Sequence, residues 1–280
     1  MMSERPDLRQ WIGRKETRRD VVAAWPACAL AATLDRDDEP EEGDVLPQGW
    51  HWIYFLEAKR ASELGADGHP RRGGFLPPVP LPRRMWAGGR IDFRAPLRIG
   101  EAVERHSEIV KIEQKSGATG ELVFVTVRHT VKAGAADAIV EEQDIVYREA
   151  AKPGDAPPPG KQAPASAAWS RRIVPDPVLL FRYSALTFNG HRIHYDKDYA
   201  TGDEHYRALV VHGPLQTTLL LDLCRRAGKP LRRLEYRAMS PLFHDEAFTV
   251  NGQPDADATK AELWTAGSSG HYAMRGTAYF

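Results

Sequence analysis

The sequence predicts a duplicated α+β protein in which each copy carries one helix and a meander of antiparallel strands. Residues 91–101 and 234–246 resemble each other, since each has an aromatic residue, Arg-Ala, Pro-Leu and an acid in that order. Strand-like β-branched runs follow both segments. Residues 151–168, rich in Pro, Ala and Gly, separate the copies and are too poor in large apolar side chains to form a core. We therefore predict an N-terminal domain over 1–150, this linker, and a C-terminal domain over 169–280.

The helices and strands of each copy are marked by local signals. A helix apolar on almost all sides, and therefore buried, should begin at Pro214 and end before Gly228 and Pro230. In the first half, the Ala-rich residues 21–34 predict a helix, and Pro26, which interrupts them, is its candidate start. Strands are predicted at 122–131, 138–147, 246–251, 261–265 and 272–279.

Composition excludes several classes of protein. The 280 residues contain 38 basic and 38 acidic side chains, so no general positive field attracts nucleic acid. The sequence shows neither an apolar signal segment nor a run of membrane-spanning length, which predicts a cytoplasmic protein. The only two cysteines, Cys28 and Cys224, are expected to be buried thiols, with no disulfide scaffold.

One short stretch concentrates side chains suited to acid–base chemistry. Asn189, His191 and His194 lie around a flexible Gly190. Because an imidazole titrates near neutral pH, His194 is suited to accept and return a proton. The amide of Asn189 is suited to position a water through its oxygen or its NH2 group. The alternative interpretation is a loop whose histidines only bond to the backbone, and Asn-Gly is also a common turn.

Gly213 and Pro214 lie where the buried helix should begin. A helix N-terminus carries N–H groups without partners and about half a positive charge. Pro214 has no N–H, so Gly213 is expected to donate, and a glycine lets a ligand oxygen approach the backbone closely. This pattern predicts an oxyanion hole for a thioester carbonyl that becomes an enolate. An ordinary loop-to-helix junction is the alternative, and the nearby histidines favour the site.

The combined pattern resembles the hydratase-2 motif of MaoC-like (R)-specific enoyl-CoA hydratases. The similarity lies in residues 187–196 and in His212-Gly-Pro-Leu. Residues 46–50, 80–89 and 181–189 are similar to the two-domain branch of mesaconyl-CoA and itaconyl-CoA hydratases, related to mitochondrial 3-hydroxyacyl-thioester dehydratases. The resemblance implies a double hotdog fold, in which an antiparallel sheet wraps around a central helix in each of two units.

The resemblance also implies a hydro-lyase that adds water reversibly to a 2-enoyl-CoA, with a branched C5 dicarboxylic acyl group such as mesaconyl-C4-CoA or itaconyl-CoA. His194 falls on the family's catalytic histidine, and Gly213 on the residue whose N–H polarises the thioester. Asn189 stands where many members have aspartate, and His191 where they have asparagine. Because an amide is no base at pH 7, Asn189 should orient the water while His194 transfers the proton. A carboxylate role for Asp196 is the less favoured arrangement.

Further substrate contacts are expected from the first half. Arg83 and Arg84 lie beside Trp86 in a loop bounded by Pro and Gly, and one of them should bind the free carboxylate of the acyl group. A CoA phosphate contact and a structural ion pair are the alternatives. His191, Trp86 and His212 are also expected to contact the substrate. The CoA thioester is the expected substrate, with neither metal nor redox cofactor, since no Cys/His ligand spacing occurs.

The first half has no copy of the Asn-Gly-His-x-Ile-His motif. We therefore expect a degenerate copy that completes the sheet and the acyl or CoA tunnel. The expected partner is a small-molecule acyl-CoA, not nucleic acid or a membrane, and formation of a homo-oligomer stays open. An acyl-CoA thioesterase on the same fold and a non-catalytic acyl-CoA-binding subunit are the alternative functions.

Overall fold

A computed structural model describes residues 7–117, 120–150 and 160–280, which form one antiparallel sheet of ten strands with helices packed against it. The strands are β1 Lys15–Val21, β2 Arg83–Phe93, β3 Ala102–Gly117, β4 Gly120–Ala133, β5 Ala136–Arg148, β6 Trp169–Ile173, β7 Arg233–Ala238, β8 Phe248–Pro254, β9 Lys260–Ala266 and β10 Tyr272–Tyr279. The helices are α1 Ala24–Thr33, α2 Pro177–Leu186, α3 Lys197–Gly202 and α4 Gly213–Arg226.

The strand order shows that the two halves are copies of one unit. From one edge the order is β1-β3-β4-β5-β2, and from the other edge it is β6-β8-β9-β10-β7. The halves join where β2 pairs with β7, and there Ile91 lies directly opposite Leu234. These residues begin the two segments of the predicted repeat, so a pseudo-two-fold axis passes between them. The predicted duplicated α+β unit is therefore confirmed.

The long helix α4 is the core of the second half. Residues 215–224 are all buried, and the helix packs against β6, β8, β9 and β10. Pro214 lies in its first turn, where a missing N–H costs nothing. Gly228, with φ +69°, follows its last turn, and the N–H of Lys229 donates to the carbonyl of Cys224. The start, the end and the burial predicted from the sequence are confirmed.

The helix that follows β1 in the first half begins later than the Ala-rich pattern indicates. Val21 ends β1 and pairs with Ala102, so α1 begins only at Ala24. Pro26 therefore falls within the first turn and does not start the helix. Within the described residues, no helix combines the length and the apolar character needed to span a bilayer.

Most of the predicted strands are confirmed. The segments at 122–131, 138–147, 261–265 and 272–279 lie within β4, β5, β9 and β10, and the strand predicted at 246–251 begins at Phe248. The sequence pattern did not indicate β1, because this strand lies at the edge of the sheet. Its side chains are mostly charged, and none of its residues is buried, so no apolar alternation marks it.

A buried carboxylate holds α4 against both halves. Asp222 is 4% exposed and accepts hydrogen bonds from Arg36 of the first half, from Arg171 at 3.3 Å and from Arg226 at 2.8 Å. Removing one partner of such a buried pair leaves an uncompensated charge, which is strongly destabilising. The network therefore fixes α4, and with it the residues that precede the helix.

The segment that connects the halves lies between the end of β5 and the start of β6. Residues 151–159 of the predicted linker lie outside the described residues. In the described remainder, Ala163 is buried and its N–H donates to the carbonyl of Gly270. The N–H of Tyr272 donates to the carbonyl of Lys161. This end of the segment therefore packs on the second half.

Candidate active site

Two long segments, one from each half, meet on the sheet. Residues 34–82 connect α1 with β2, and residues 174–212 connect β6 with α4. In the first half two residues separate β1 from α1, and in the second half three residues separate β6 from α2, so residues 34–82 are the counterpart of the segment that follows α2 and carries the histidine motif. The first-half segment has no copy of that motif.

The two segments touch at Gly68 and Gly190. Gly68 has φ +84°, and a Cβ added to it would lie 1.9 Å from the carbonyl oxygen of Gly190. Next to this contact, the N–H of Arg192 donates to the carbonyl of Asp67, and its guanidinium donates to the carbonyl of Ala66, each at 3.0 Å. The close approach therefore requires glycine at position 68.

His194 has the properties of a general base. It is 7% exposed, and its Nδ1 lies 2.7 Å from the carbonyl oxygen of Val210. Because a carbonyl only accepts, Nδ1 carries the proton and Nε2 keeps its lone pair. Burial, with a contribution from nearby His191, lowers the pKa of His194 to about 3. The imidazole is therefore neutral at pH 7 and available to take a proton.

His212 lies directly behind His194. Their rings stack with centroids 3.6 Å apart, and Nε2 of His212 lies 2.8 Å from the hydroxyl of Ser184. His212 is fully buried behind the His194 ring, and its contact with the substrate stays a prediction. Its structural effect is to fix the plane of the His194 ring.

Two further histidines extend the chain of ring contacts that begins with His212 and His194. The His191 ring lies edge-on to His194 with centroids 5.5 Å apart, and His69 of the first half lies 4.3 Å from His191. Burial and the nearby Arg84 charge lower the pKa of His191 to about 4 and that of His69 well below its usual value. The sequence analysis did not identify His69, since nothing in its local sequence connects it with a motif far along the chain.

Gly213 lies at the N-terminus of α4, next to the histidine that stacks on His194. Its N–H donates to no other group in the described part of the chain. A Cβ added to Gly213 would meet nothing within 4 Å, so open space adjoins the residue. Pro214 follows and contributes no donor. A free N–H at a helix N-terminus beside a neutral imidazole can bind an oxyanion while the imidazole transfers a proton.

The remaining polar groups of the motif have defined partners. The Oδ1 atom of Asn189 accepts the N–H of His191 at 3.0 Å, which leaves the NH2 group for a water. Asp196 caps α3 by accepting the N–H of Tyr199, and it pairs with Arg192 at 2.8 Å. The carboxylate of Asp196 is therefore committed to structure, in agreement with the less favoured status of its catalytic role.

The adjacent arginines Arg83 and Arg84 have different environments. Arg83 pairs with Glu204 at 2.7 Å, both side chains being largely buried, and its guanidinium lies over the ring of Tyr206. It therefore forms the structural ion pair that was one alternative for this position. Arg84 lies opposite Tyr147 across β2 and β5, and no carboxylate of the described residues is within ion-pairing distance of it.

Trp86 belongs to an aromatic cluster. Its ring meets Trp52 and Tyr236 edge-on, with centroids 5.1 and 5.9 Å away, and its indole N–H donates to the carbonyl of Gly88. Its polar group is therefore engaged within the protein, and a contact of its ring with the substrate stays a prediction.

One group of side chains at this site has a composition suited to a metal ion. Ligand atoms of Asp67, His69 and His191 all lie within 4.8 Å of one another. Two imidazoles and a carboxylate suit divalent transition metals. The sequence analysis did not indicate this group, because two of its members come from the other half of the chain.

Known structures share this fold. A MaoC-like dehydratase from Phytophthora capsici superimposes with a TM-score of 0.72 at 12% identity, covering 98% of each chain. A Mycobacterium tuberculosis protein described as having a double hotdog fold gives a TM-score of 0.58 at 14% identity, covering 96% of each chain. These neighbours show that the chain has a double hotdog fold.

Sequence comparison identifies the family. The profile of hydroxyacyl-thioester dehydratase type 2 matches residues 49–244, and the chain belongs to this family. It is 46% identical over 273 residues to the mesaconyl-C(4)-CoA hydratase of Chloroflexus aurantiacus, covering 97% of each chain. It is 29% identical to the mitochondrial hydroxyacyl-thioester dehydratase type 2 of Schizosaccharomyces pombe, covering 73% of this chain and 77% of that one. The predicted family, the double hotdog fold and the assignment as a hydro-lyase are confirmed.

Proposed function

We propose that the protein adds water reversibly to the double bond of a branched C5 dicarboxylic 2-enoyl-CoA, with mesaconyl-C4-CoA as its substrate. The chemistry is supported by the neutral, buried His194, whose ring stacks on His212, the residue before Gly213 with its free N–H at the N-terminus of α4. The choice of substrate is supported by 46% identity to the mesaconyl-C(4)-CoA hydratase over 97% of both chains.

In the proposed reaction, Nε2 of His194 takes a proton from a water that the NH2 group of Asn189 holds. The oxygen of this water forms a bond with the β-carbon, and the electron pair of the double bond moves toward the thioester oxygen. The N–H of Gly213 and the N-terminus of α4 stabilise the resulting negative charge. The imidazolium then returns its proton to the α-carbon on the same face, which completes a syn addition.

The surroundings of His194 assist each half of this cycle. The low pKa of the imidazole keeps it neutral before reaction, and the bond to Val210 fixes the tautomer that has a free Nε2. Stacking on His212 limits rotation of the ring. Hydration involves no net oxidation or reduction, so the proposed mechanism needs no redox cofactor, and it assigns the activation of water to His194 and not to a metal.

The proposal is tested by incubating the protein with enoyl-CoAs and 3-hydroxyacyl-CoAs, in mono- and dicarboxylic pairs. The masses of the products are then measured by mass spectrometry. We expect mesaconyl-C4-CoA to gain the mass of one water, and the reverse reaction to lose it. Release of free CoA thiol would instead indicate a thioesterase. Thermal stabilisation by CoA esters without any turnover would indicate a non-catalytic binding subunit, and either result would overturn the proposal.

A further inference from the structure

The site contains an unusual excess of hydrogen-bond donors beyond those that the proposed reaction uses. His69 lies against His191, whose ring meets His194 edge-on. Arg84 is close enough to lower the pKa of both His69 and His191 through its charge, and it has no carboxylate partner among the described residues. His69, His191 and Arg84 take no part in the proposed proton transfer.

A tyrosine hydroxyl adds to this set of donors. Tyr147 is fully buried and lies opposite Arg84 in the sheet, and its hydroxyl proton has no acceptor among the described residues. Burial raises the pKa of Tyr147, so its hydroxyl keeps its proton and can donate. A buried donor without a partner costs stability, and a ligand that accepts from it removes that cost.

The charges around these groups favour an anion. The guanidinium of Arg72 lies 5.3 Å from the centroid of the Tyr147 ring, which adds a second positive charge beside Arg84. Asp67 is the acid of this region, and its Oδ1 already accepts the backbone N–H of His69 at 3.0 Å. Two arginines against one aspartate leave a positive excess next to the neutral imidazoles.

The chemistry of the proposed substrate places its free carboxylate at this location. In mesaconyl-C4-CoA the β-carbon, to which water adds, also carries the methyl group and the free carboxylate. When His194 activates water beside the β-carbon, the carboxylate must lie one bond farther on. The His191 ring contacts His194 and the His69 ring contacts His191, so both rings are close to the place where that group must lie.

We infer that His69, together with Arg84 and the Tyr147 hydroxyl, forms a subsite for the free carboxylate and thereby selects dicarboxylic over monocarboxylic acyl groups. This inference rests on the proposed function and adds a specificity-determining residue from the first half. It also gives that half a direct part in substrate recognition. The carboxylate supplies the acceptor that the Tyr147 hydroxyl lacks and the counter-ion that Arg84 lacks.

A divalent metal is the competing occupant, because His69, His191 and Asp67 also suit such an ion. The positive charges of Arg84 and Arg72 oppose a cation at this place and favour a carboxylate. The two occupants differ in a measurable way, since only the metal would be removed by a chelator.

The test compares two thioesters that differ only at the proposed subsite. These are mesaconyl-C4-CoA and 3-methylbut-2-enoyl-CoA, in which a methyl group replaces the carboxylate. The ratio of their kcat/KM values is measured for the natural protein and for His69→Ala and His69→Gln, with thermal unfolding to confirm folding. His106→Ala, at a half-exposed position on β3, is the matched control.

We expect His69→Ala to lower the ratio by about tenfold to a hundredfold, the loss typical of a charge-assisted hydrogen bond. His69→Gln, which keeps a neutral donor, should lower it less, and His106→Ala should leave it unchanged. An unchanged ratio in both His69 variants, with activity on mesaconyl-C4-CoA retained, would overturn the subsite while the proposed function stands. If the natural protein hydrates neither thioester, the proposed function itself fails.

The same assays are repeated with EDTA and with added Zn2+. We expect EDTA to leave the ratio unchanged. Stoichiometric zinc binding that His69→Ala abolishes, together with loss of the ratio in EDTA, would assign the group to a metal and overturn the carboxylate subsite.

Discussion

Replacing Gly68 by alanine tests whether the contact between the two long segments builds the site. Gly13 offers a matched control, because its φ of +83° is nearly that of Gly68 at +84°, but a Cβ on Gly13 would meet nothing within 4 Å. The left-handed conformation costs an alanine about 1–2 kcal/mol at either position. Each variant should therefore lose about 2–8 °C in Tm from this strain alone.

The two variants should differ in activity. In Gly68→Ala the new Cβ would lie 1.9 Å from the Gly190 carbonyl oxygen, whereas ordinary contacts begin at 3.4 Å. The segments must therefore separate by more than an ångström, and His191 follows Gly190 directly, with His194 in the next turn of the chain. A displacement of that size at a reacting centre lowers a rate by roughly a hundredfold.

The assay is kcat/KM for hydration of mesaconyl-C4-CoA, with Tm measured on the same samples. We expect Gly13→Ala to keep the activity of the natural protein and Gly68→Ala to lose about two orders of magnitude. If the two variants have activities within about threefold of each other, the first-half segment does not position the histidines, and the reasoning is wrong.

Three further predictions concern the imidazoles of His69, His191, His194 and His212. Ser184→Ala leaves both ring nitrogens of the buried His212 without partners, and urea unfolding should show a loss of about 1–3 kcal/mol; an unchanged free energy of unfolding contradicts this. The pKa of each of the four imidazoles is lowered in the folded state, so the unfolded chain binds more protons below about pH 6.5. The free energy of unfolding should therefore fall as the pH is lowered from 7 to 5, by up to about 1.4 kcal/mol per pH unit for each histidine. The same free energy of unfolding at pH 7 and pH 5 would refute this prediction. Since the pKa of His194 is about 3, kcat/KM should show no protonation step near pH 6.5, and a half-maximal value there would contradict the assignment.

Local sequence was sufficient where chain neighbours determine the structure. The limits of α4 follow from Pro214, its buried leucines and Gly228, all of which act within one or two turns. The stacking of His194 on His212, the residue before Gly213, joins two groups that lie close together in the sequence. The repeat also followed from local pattern, since residues 91–101 and 234–246 carry the same order of residue types.

Contacts between distant parts of the chain were not predictable in the same way. Nothing near Arg83 or Arg84 indicates which one pairs with Glu204, because that partner comes from the other half. The burial of His212 depends on its stacking against His194 and its bond to Ser184. His69 reaches the site only because Gly68 permits the close approach to Gly190.

The most direct measurement of the central claim is the hydration rate of His194→Asn. The asparagine amide can still donate to the Val210 carbonyl, so the local structure is kept, but the acceptor at Nε2 is lost. We expect an unchanged fold by circular dichroism and a fall in kcat for mesaconyl-C4-CoA of about 10²–10⁴-fold, the usual contribution of general acid–base catalysis. Activity within about threefold of the natural protein would show that His194 is not the group that transfers the proton.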